Sequence, residues 1–389
     1  MAGVNKNTIL YLFSPLEPIT SATTDAKARS DIQHPPPTIF EKNAMAPESN
    51  KTSSEVSSLA FSLRERLNIP NDAIRILYNN SCKLKSTIKP CQDPLCHSLN
   101  KTIEKRLEDI LSPNLQLSKS QLNTILSIGK TIPMSDVIIA SAVSANHYEE
   151  MQAMFKALHE QVYPKLLNFT MVLFDLGLKP HQWKMTKKNC RCRLISFNFD
   201  LFPPHVRDLH CYSWKPIIIR AVASKATTLV VWQDASVRWR DGFKIIFQRA
   251  ALYGQQIVVT DHADRVTSNT VKEMFQYMNE DVCRFHNVPE IANAMALHRP
   301  DPLIVRTIMD PWARCALESE CMCPAKYDVW TIRHCNNYGT HRCHRFDQSA
   351  LTLLTAKLYE DERYKIEIPE QHKHVRVMRG DRLTDYFTP

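Results

Sequence analysis

The spacing of apolar positions changes about a third of the way along the chain. Up to residue 129, apolar residues recur at helical intervals in short runs: "EVSSLAFSLRERL" (55–67), "TIEKRLEDIL" (102–111) and "SQLNTILSIG" (120–129). Each predicts a short helix. From residue 134, brief apolar runs alternate with helical patterns. "SDVIIASAV" (135–143), "NFTMVLFDLGL" (168–178), "RCRLISFNF" (191–199), "TTLVVWQD" (227–234) and "QQIVVTDH" (255–262) predict strands. Between them, "NHYEEMQAMFKALHEQVY" (146–163) predicts an amphipathic helix with Asn146 as N-cap and Glu149 completing a capping box. "PHVRDLHCYSWKPIIIRAVAS" (204–224) predicts another, with Pro216 tolerated in the first turn. Strands alternating with helices predict βαβ units and a largely parallel sheet, an α/β fold.

Residues 14–56 carry Ser, Thr, Pro and charge without apolar period, which predicts a disordered stem. The expected organisation is a disordered tail (1–56), a helical lead-in (57–130), a catalytic-type α/β domain (131–368) and a C-terminal tail (369–389). "CKLKSTIKPCQDPLC", with Cys82, Cys91 and Cys96, reads as a stapled loop in the lead-in.

The chain has 389 residues, 44% of them hydrophobic, enough for a real core. Its net charge of +9 suits an anionic ligand, but the basic residues are scattered and no block resembles a nucleic-acid arm. Only 7 glycines occur, and GxGxxG, GxxxxGK[ST] and HExxH are all missing from the sequence. Of the 12 cysteines, nine lie between 190 and 343, and N-x-[ST] sequons begin at Asn50, Asn79, Asn100 and Asn168. Both features point to an oxidising, secretory compartment. Residues 8–13, "TILYLF", are too short for a signal core or a membrane span, so any anchor is expected outside this sequence.

In open α/β sheets, ligands bind at the carboxyl ends of the strands. Polar residues fall there on separate strands: Ser141 and Ser144 on the first, Asp175 on the second, Asp234 on the fourth. Singly, each reads as a solvated strand end; together they predict a crevice.

The motifs "IIASAVSANHYEEM", "LFDLGL", "CRCRLISFNFDLFPPHVRDLHCYSWKPIIIRA", "VVWQDASVRW", "PWARCAL" and "CHRFDQSAL" occur in this order over about residues 134–355. In them the chain resembles a family of unknown function abundant in nematodes and other invertebrates, which looks like a distant branch of the GT-A glycosyltransferases. The resemblance implies a GT-A-like fold: a mixed, mostly parallel sheet flanked by helices, following a stem and a short helical lead-in. It implies a glycosyltransferase acting on a nucleotide-sugar donor and a glycan or protein acceptor. It also implies a type II membrane glycoprotein of the Golgi lumen, reaching the membrane only through an N-terminal anchor, with no nucleic-acid partner.

A departing diphosphate needs a divalent cation or a cluster of Lys and Arg. Where many GT-A enzymes carry Asp-x-Asp, this chain has Asp234-Ala235-Ser236. Asp234 and His344 are the expected ligands of Mn2+ or Mg2+, and one carboxylate is a weak set for a hard cation. Ser141, Ser144, Asp175, Lys215, Ser236 and Arg238 are the expected donor contacts, with Arg345 as another phosphate candidate and His341 as an alternative to His344. Asp347, opening the predicted amphipathic helix 347–359, is the expected catalytic base in the acceptor pocket; a plain helix cap is the competing assignment. Trp232 is expected in the core, and Trp214 and Trp312 more as core than as sugar platforms.

Cys192, Cys211, Cys315, Cys321, Cys323, Cys335 and Cys343 are expected in disulfides, with zinc as the competitor. A catalytically decayed domain acting as a carbohydrate-binding or structural partner remains open, as does a cytosolic zinc-containing nucleic-acid binder. The sheet-like 134–262 region, without interleaved basic and aromatic stripes, speaks against the last.

Overall fold

The computed structural model describes residues 48–70, 101–259, 265–335, 341 and 343–388. The tail expected before residue 48 and the loop with Cys82, Cys91 and Cys96 lie outside the described residues. Helix α1 (Glu48–Leu67) runs through position 56, where the stem was expected to end. Helices α2 (Ile103–Ile110) and α3 (Lys119–Ile128) follow where the apolar period places them. Ser118 caps α3 and Gln121 completes the capping box.

Strand β1 (Ser135–Val143) opens the sheet, followed by helix α4 (Tyr148–Gln161), strand β2 (Phe169–Asp175), helix α5 (Pro180–Asn189) and strand β3 (Arg193–Ser196). Next come helix α6 (Trp214–Ala223), strand β4 (Ala226–Gln233), short strand β5 (Val237–Trp239), helix α7 (Lys244–Tyr253) and strand β6 (Gln255–Val259). Helix α8 (Lys272–Tyr277), strand β7 (Ile291–His298), helix α9 (Asp310–Ala316), helix α10 (Asp347–Tyr359) and short strand β8 (Val375–Val377) complete the fold.

The main sheet has six strands in the order β3-β2-β1-β4-β7-β6. β3, β2, β1 and β4 are parallel, while β7 is antiparallel to both β4 and β6. This is the mixed, mostly parallel sheet the sequence predicts. Because β7 runs backwards, its first residues lie at the carboxyl end of β4: the Asp234 amide donates to the Ala294 carbonyl at 2.7 Å.

The period-2 alternation of the strands divides the core between two faces. Ile138, Ala140, Val230 and Trp232 pack with α1, α2, α3, α6, α9 and α10, so the lead-in helices share the core of the α/β domain. Val137, Ile139, Leu229 and Val231 pack against α4 and α7.

Two local expectations are corrected. Asn146 does not cap α4: a 3-10 turn at Ala145–His147 precedes the helix, and the Asn146 side chain accepts from the Ser144 hydroxyl at 2.6 Å instead. Helix α10 is not amphipathic, since every residue from Asp347 to Tyr359 is buried. Its polar positions find partners inside. The Thr352 and Thr355 hydroxyls donate back to Gln348 and Leu351 carbonyls, and the Lys357 ammonium pairs with Glu280 at 2.9 Å.

Candidate active site

Three chain segments meet at the carboxyl end of β4. The first is the start of α6, which carries Lys215; this side chain is 3% exposed yet charged. The second is Asp234, one residue past β4, with a side chain 34% exposed. The third is Asp347, the first residue of α10, 4% exposed.

The Lys215 Nζ lies 3.0 Å from Asp234 Oδ1, 3.3 Å from Asp347 Oδ2 and 3.4 Å from the Asn293 carbonyl. An ammonium has three hydrogens, so these three acceptors use all of them. Asn293, near the start of β7, donates from Nδ2 to Asp347 Oδ2 at 2.6 Å. The Trp232 indole N–H donates to Asp234 Oδ1 at 2.9 Å, and that of Trp312 to the Asp347 carbonyl at 3.0 Å. Lys215 also stands 5.6 Å from the Tyr212 ring centre and 5.5 Å from that of Trp232.

The electrostatics follow from burial and these contacts. Burial works against the Lys215 ammonium, but the two carboxylates outweigh it and raise its pKa above the ordinary value. Burial raises the pKa of Asp347, helped by the nearby Asp234 charge and opposed by Lys215 and Asn293. Burial likewise raises that of the Tyr212 phenol. A carboxylate with raised pKa, fixed by two donors on one oxygen, is a competent proton acceptor. Among the described residues, neither Asp347 Oδ1 nor Asp234 Oδ2 carries a hydrogen bond. Those two oxygens are the acceptors of the cluster that no protein donor occupies.

The backbone around this cluster is strained. Tyr212, Asn293 and Phe346 adopt left-handed conformations with φ of 53°, 44° and 47°, although none is a glycine. Such residues cost on the order of 1–3 kcal/mol each and gather at functional sites. The Asn293 side-chain oxygen is buried without a partner, as is the Ser213 hydroxyl beside Tyr212. Asn293 and Tyr212 escape a sequence reading. An asparagine inside "IANAMALH" keeps the strand period, and Tyr212 in "HCYSW" carries no motif.

The other anticipated residues are placed differently. The Ser141 hydroxyl is buried and donates to Met154 sulfur at 3.6 Å. Ser144 donates to Asn146. Asp175 Oδ1 accepts from the Gly177 and Leu178 amides at 2.8 and 2.6 Å, closing its own turn. Ser236 is buried, and its carbonyl accepts from Met378. Arg238 is tied to the C-terminal segment and the strand end: it donates to the Asp381 carboxylate at 2.8 Å and to the Ala235, Val237, Glu150 and Asp381 carbonyls. Arg345 donates from Nε to Cys335 sulfur at 3.1 Å.

His341 binds the Thr270 carbonyl through Nδ1. His344 is 1% exposed, with its Nε2 on the Met322 carbonyl at 3.1 Å and its pKa pushed down to about 3 by burial. It stands with Met322 and Phe346 rather than with Asp234. Trp232 and Trp312 are fully buried and Trp214 is 7% exposed.

This donor set does not fit a divalent cation as it is arranged. Among the described residues, no three His, Cys, Asp or Glu side chains are grouped to hold one. An ammonium already bridges the two carboxylates, and a second cation there would meet its repulsion.

All seven cysteines anticipated in disulfides are paired: Cys190–Cys192, Cys211–Cys323, Cys315–Cys321 and Cys335–Cys343. These bonds leave none of the seven as a zinc ligand. Asn168, the sequon asparagine after α4, is exposed.

Residues 99–220 match the family model described as "Protein of unknown function (DUF1647)". The anticipated family resemblance is borne out there. No curated protein matches the sequence. Among solved structures, the chain is similar to the mannosyltransferase Ktr4p from S. cerevisiae, at 10% identity and TM-score 0.34 over 79% of this chain and 98% of that one. It is also similar to core-mannan synthase A from Aspergillus fumigatus in its Mn/GDP form, at 7% identity and TM-score 0.37 over 62% and 74% of the two chains. A third is the galactosyltransferase LgtC in complex with donor and acceptor sugar analogs, at 13% identity and TM-score 0.31 over 56% and 70%.

Proposed function

We propose that this chain is a glycosyltransferase that moves a sugar from a nucleoside-diphosphate donor to a hydroxyl acceptor, with Asp347 as the base. The observation that carries the reading is the buried Lys215 holding Asp234 and Asp347 together at the sheet edge. Lys215 is a positioning residue: two of its donors fix the carboxylates and the third holds the Asn293 carbonyl. Asp347 Oδ1 takes the acceptor's proton as the oxygen attacks the anomeric carbon, and the bond to the diphosphate breaks. Asp234 Oδ2, on the exposed side of the cluster, orients sugar hydroxyls. The disulfides and the exposed Asn168 sequon support a secretory setting, for which we propose the Golgi lumen and a type II anchor preceding the stem. Among the described residues, no helix is long and apolar enough to cross a membrane.

The test is thermal shift and transfer assays against UDP- and GDP-sugars on the disulfide-bonded chain, with manganese and with EDTA in parallel. Asp347→Asn is expected to lower transfer by about a hundredfold or more, the scale of a lost general base, while leaving the donor shift in place. Equal turnover in Asp347→Asn would remove Asp347 from the chemistry.

A second reading, a domain retained for carbohydrate binding or as a structural partner, is favoured by one observation. Lys215, Arg238 and Arg345, the three cations expected at the diphosphate, donate to protein acceptors. That reading expects glycan binding without any nucleotide-sugar shift.

A further inference from the structure

Trp330 is 59% exposed, whereas Trp214, Trp232, Trp239 and Trp312 are all buried. It lies on a one-turn helix, Val329–Ile332, whose N-cap is Asp328. A free surface loop would have little reason to hold a bare indole in place, yet this one is braced on several sides. The Arg333 guanidinium lies over the ring, 4.1 Å from its centre. His210 and His334 meet it edge-to-face, each at 5.5 Å. Disulfides fix the neighbouring chain on both sides: Cys211 follows His210 and is bonded to Cys323, and Cys335 follows His334 and is bonded to Cys343.

The platform is continuous with the cluster described above. Two residues beyond His210, the Tyr212 ring lies 6.2 Å from Phe346 and 5.6 Å from the Lys215 ammonium. The Ile332 carbonyl accepts from the His344 amide at 2.8 Å, tying the Trp330 turn to the segment that leads into Asp347. Around the indole, His210, Arg333 and His334 offer donors and Asp208 an acceptor.

An uncharged saccharide matches that chemistry. The C–H face of a pyranose packs on an aromatic ring, and its hydroxyls meet planar donors and a carboxylate at the rim. We propose that Trp330 is the distal acceptor subsite, a stacking platform for a sugar unit preceding the one whose hydroxyl reaches Asp347. The acceptor is then an oligosaccharide of at least two units rather than a single sugar. This deepens the transferase reading and rests on it only for the direction of the chain toward Asp347.

The probes are lactose, cellobiose, maltose, chitobiose and α-mannobiose at millimolar concentration, with the full chain in its disulfide-bonded form. Binding is read by saturation-transfer NMR and by tryptophan fluorescence, for the wild-type chain, Trp330→Ala and Trp330→Phe. At least one disaccharide is expected to bind, with saturation on both rings. Its affinity should fall about tenfold in Trp330→Ala, the scale of one lost stacking contact, and by less in Trp330→Phe. Because the side chain is exposed, both variants should melt with the wild type. The proposal is overturned if none of the disaccharides binds, or if binding is the same in Trp330→Ala. Nucleotide-sugar binding by the wild-type chain is measured separately. A Trp330-dependent disaccharide site without it keeps the platform and removes the transferase reading.

Discussion

Replacing Lys215 by Met tests whether a buried ammonium organises the site. The substitution keeps most of the side-chain volume and removes the charge that lies 3.0 Å from Asp234 and 3.3 Å from Asp347. Removing one partner of a buried ion pair costs about 3–5 kcal/mol, because the other charge is left uncompensated. Asp234 is 34% exposed and regains water, so its share is screened; Asp347, at 5%, does not. The expected loss at pH 8 is therefore at the lower end, about 3 kcal/mol, or about 5 °C in the melting midpoint for a chain of this size.

The pH dependence carries the sharper test. Burial already raises the pKa of Asp347, and without Lys215 only Asn293 opposes that shift, so it rises further. A carboxyl whose folded pKa lies above its unfolded value is favoured in acid and loses stability as pH rises through the folded value. In Lys215→Met the buried acid can stay protonated in acid, and its deficit relative to the wild type should be small at pH 5 and full at pH 8. Urea melts at the two pH values measure this. Lys215→Met with Asp347→Asn should recover part of the loss, since neither buried charge then remains. An equal deficit at both pH values, or none at pH 8, would show that Lys215 does not hold Asp347 ionised.

Two more outcomes concern the scaffold. Glu360, beside Arg106 and the Lys101 amide, has its pKa raised by burial to about 7. Its contribution is full below the unfolded value near 4.3 and is lost as pH rises through about 7, so Glu360→Gln should flatten the pH–stability profile between about 5 and 8. Replacing Cys211 and Cys323 by Ser opens a bond that spans 112 positions, for which chain entropy gives about 4–5 kcal/mol. A fall of that order in denaturant melts, with unchanged secretion of correctly paired Cys335–Cys343, is the expected result.

How legible the site was depended on what each residue's role requires. Asp234, Lys215 and Asp347 were all singled out, because charged residues beside apolar runs stand out in a sequence. Their roles relative to one another did not stand out. Lys215 reads as a phosphate contact until its burial is known, and burial depends on how α6, α10 and β7 pack. Arg238 reads the same way, but its acceptors come from residue 150 and residue 381, a pairing set by β5 and β8 that no local pattern encodes. Asp175 was legible in principle: Asp-x-Gly after a strand is a turn signal, and the structure uses it as one. Helix α10 carries Thr352, Thr355 and Lys357 at intervals that read as a solvent face, yet all three are satisfied internally. Strands β1 to β4 and β6 were legible as brief apolar runs between helical patterns, whereas β7, which brings Asn293 to the site, was not among the strands the sequence predicted.

The strain at Tyr212, Asn293 and Phe346 bears on which functional reading the fold favours. Each lies next to one element of the cluster: Tyr212 covers Lys215, Asn293 binds Asp347, and Phe346 precedes it. Left-handed backbone at three non-glycine residues, with a buried Asn293 oxygen and a buried Ser213 hydroxyl left without partners, opposes folding stability. A domain kept only for its shape gains nothing from that arrangement, and single substitutions to glycine would relieve the backbone at each position. A site that must present Asp347 Oδ1 and Asp234 Oδ2 in one fixed orientation does gain, because preorganised groups need no rearrangement when substrate arrives. Among the described residues, six other non-glycines, Asn168, Arg191, Asn279, His341, Glu360 and Glu370, also have positive φ outside the cluster. What favours a working site over a relic is therefore the joint placement of Tyr212, Asn293 and Phe346 around two carboxylates held by one buried ammonium.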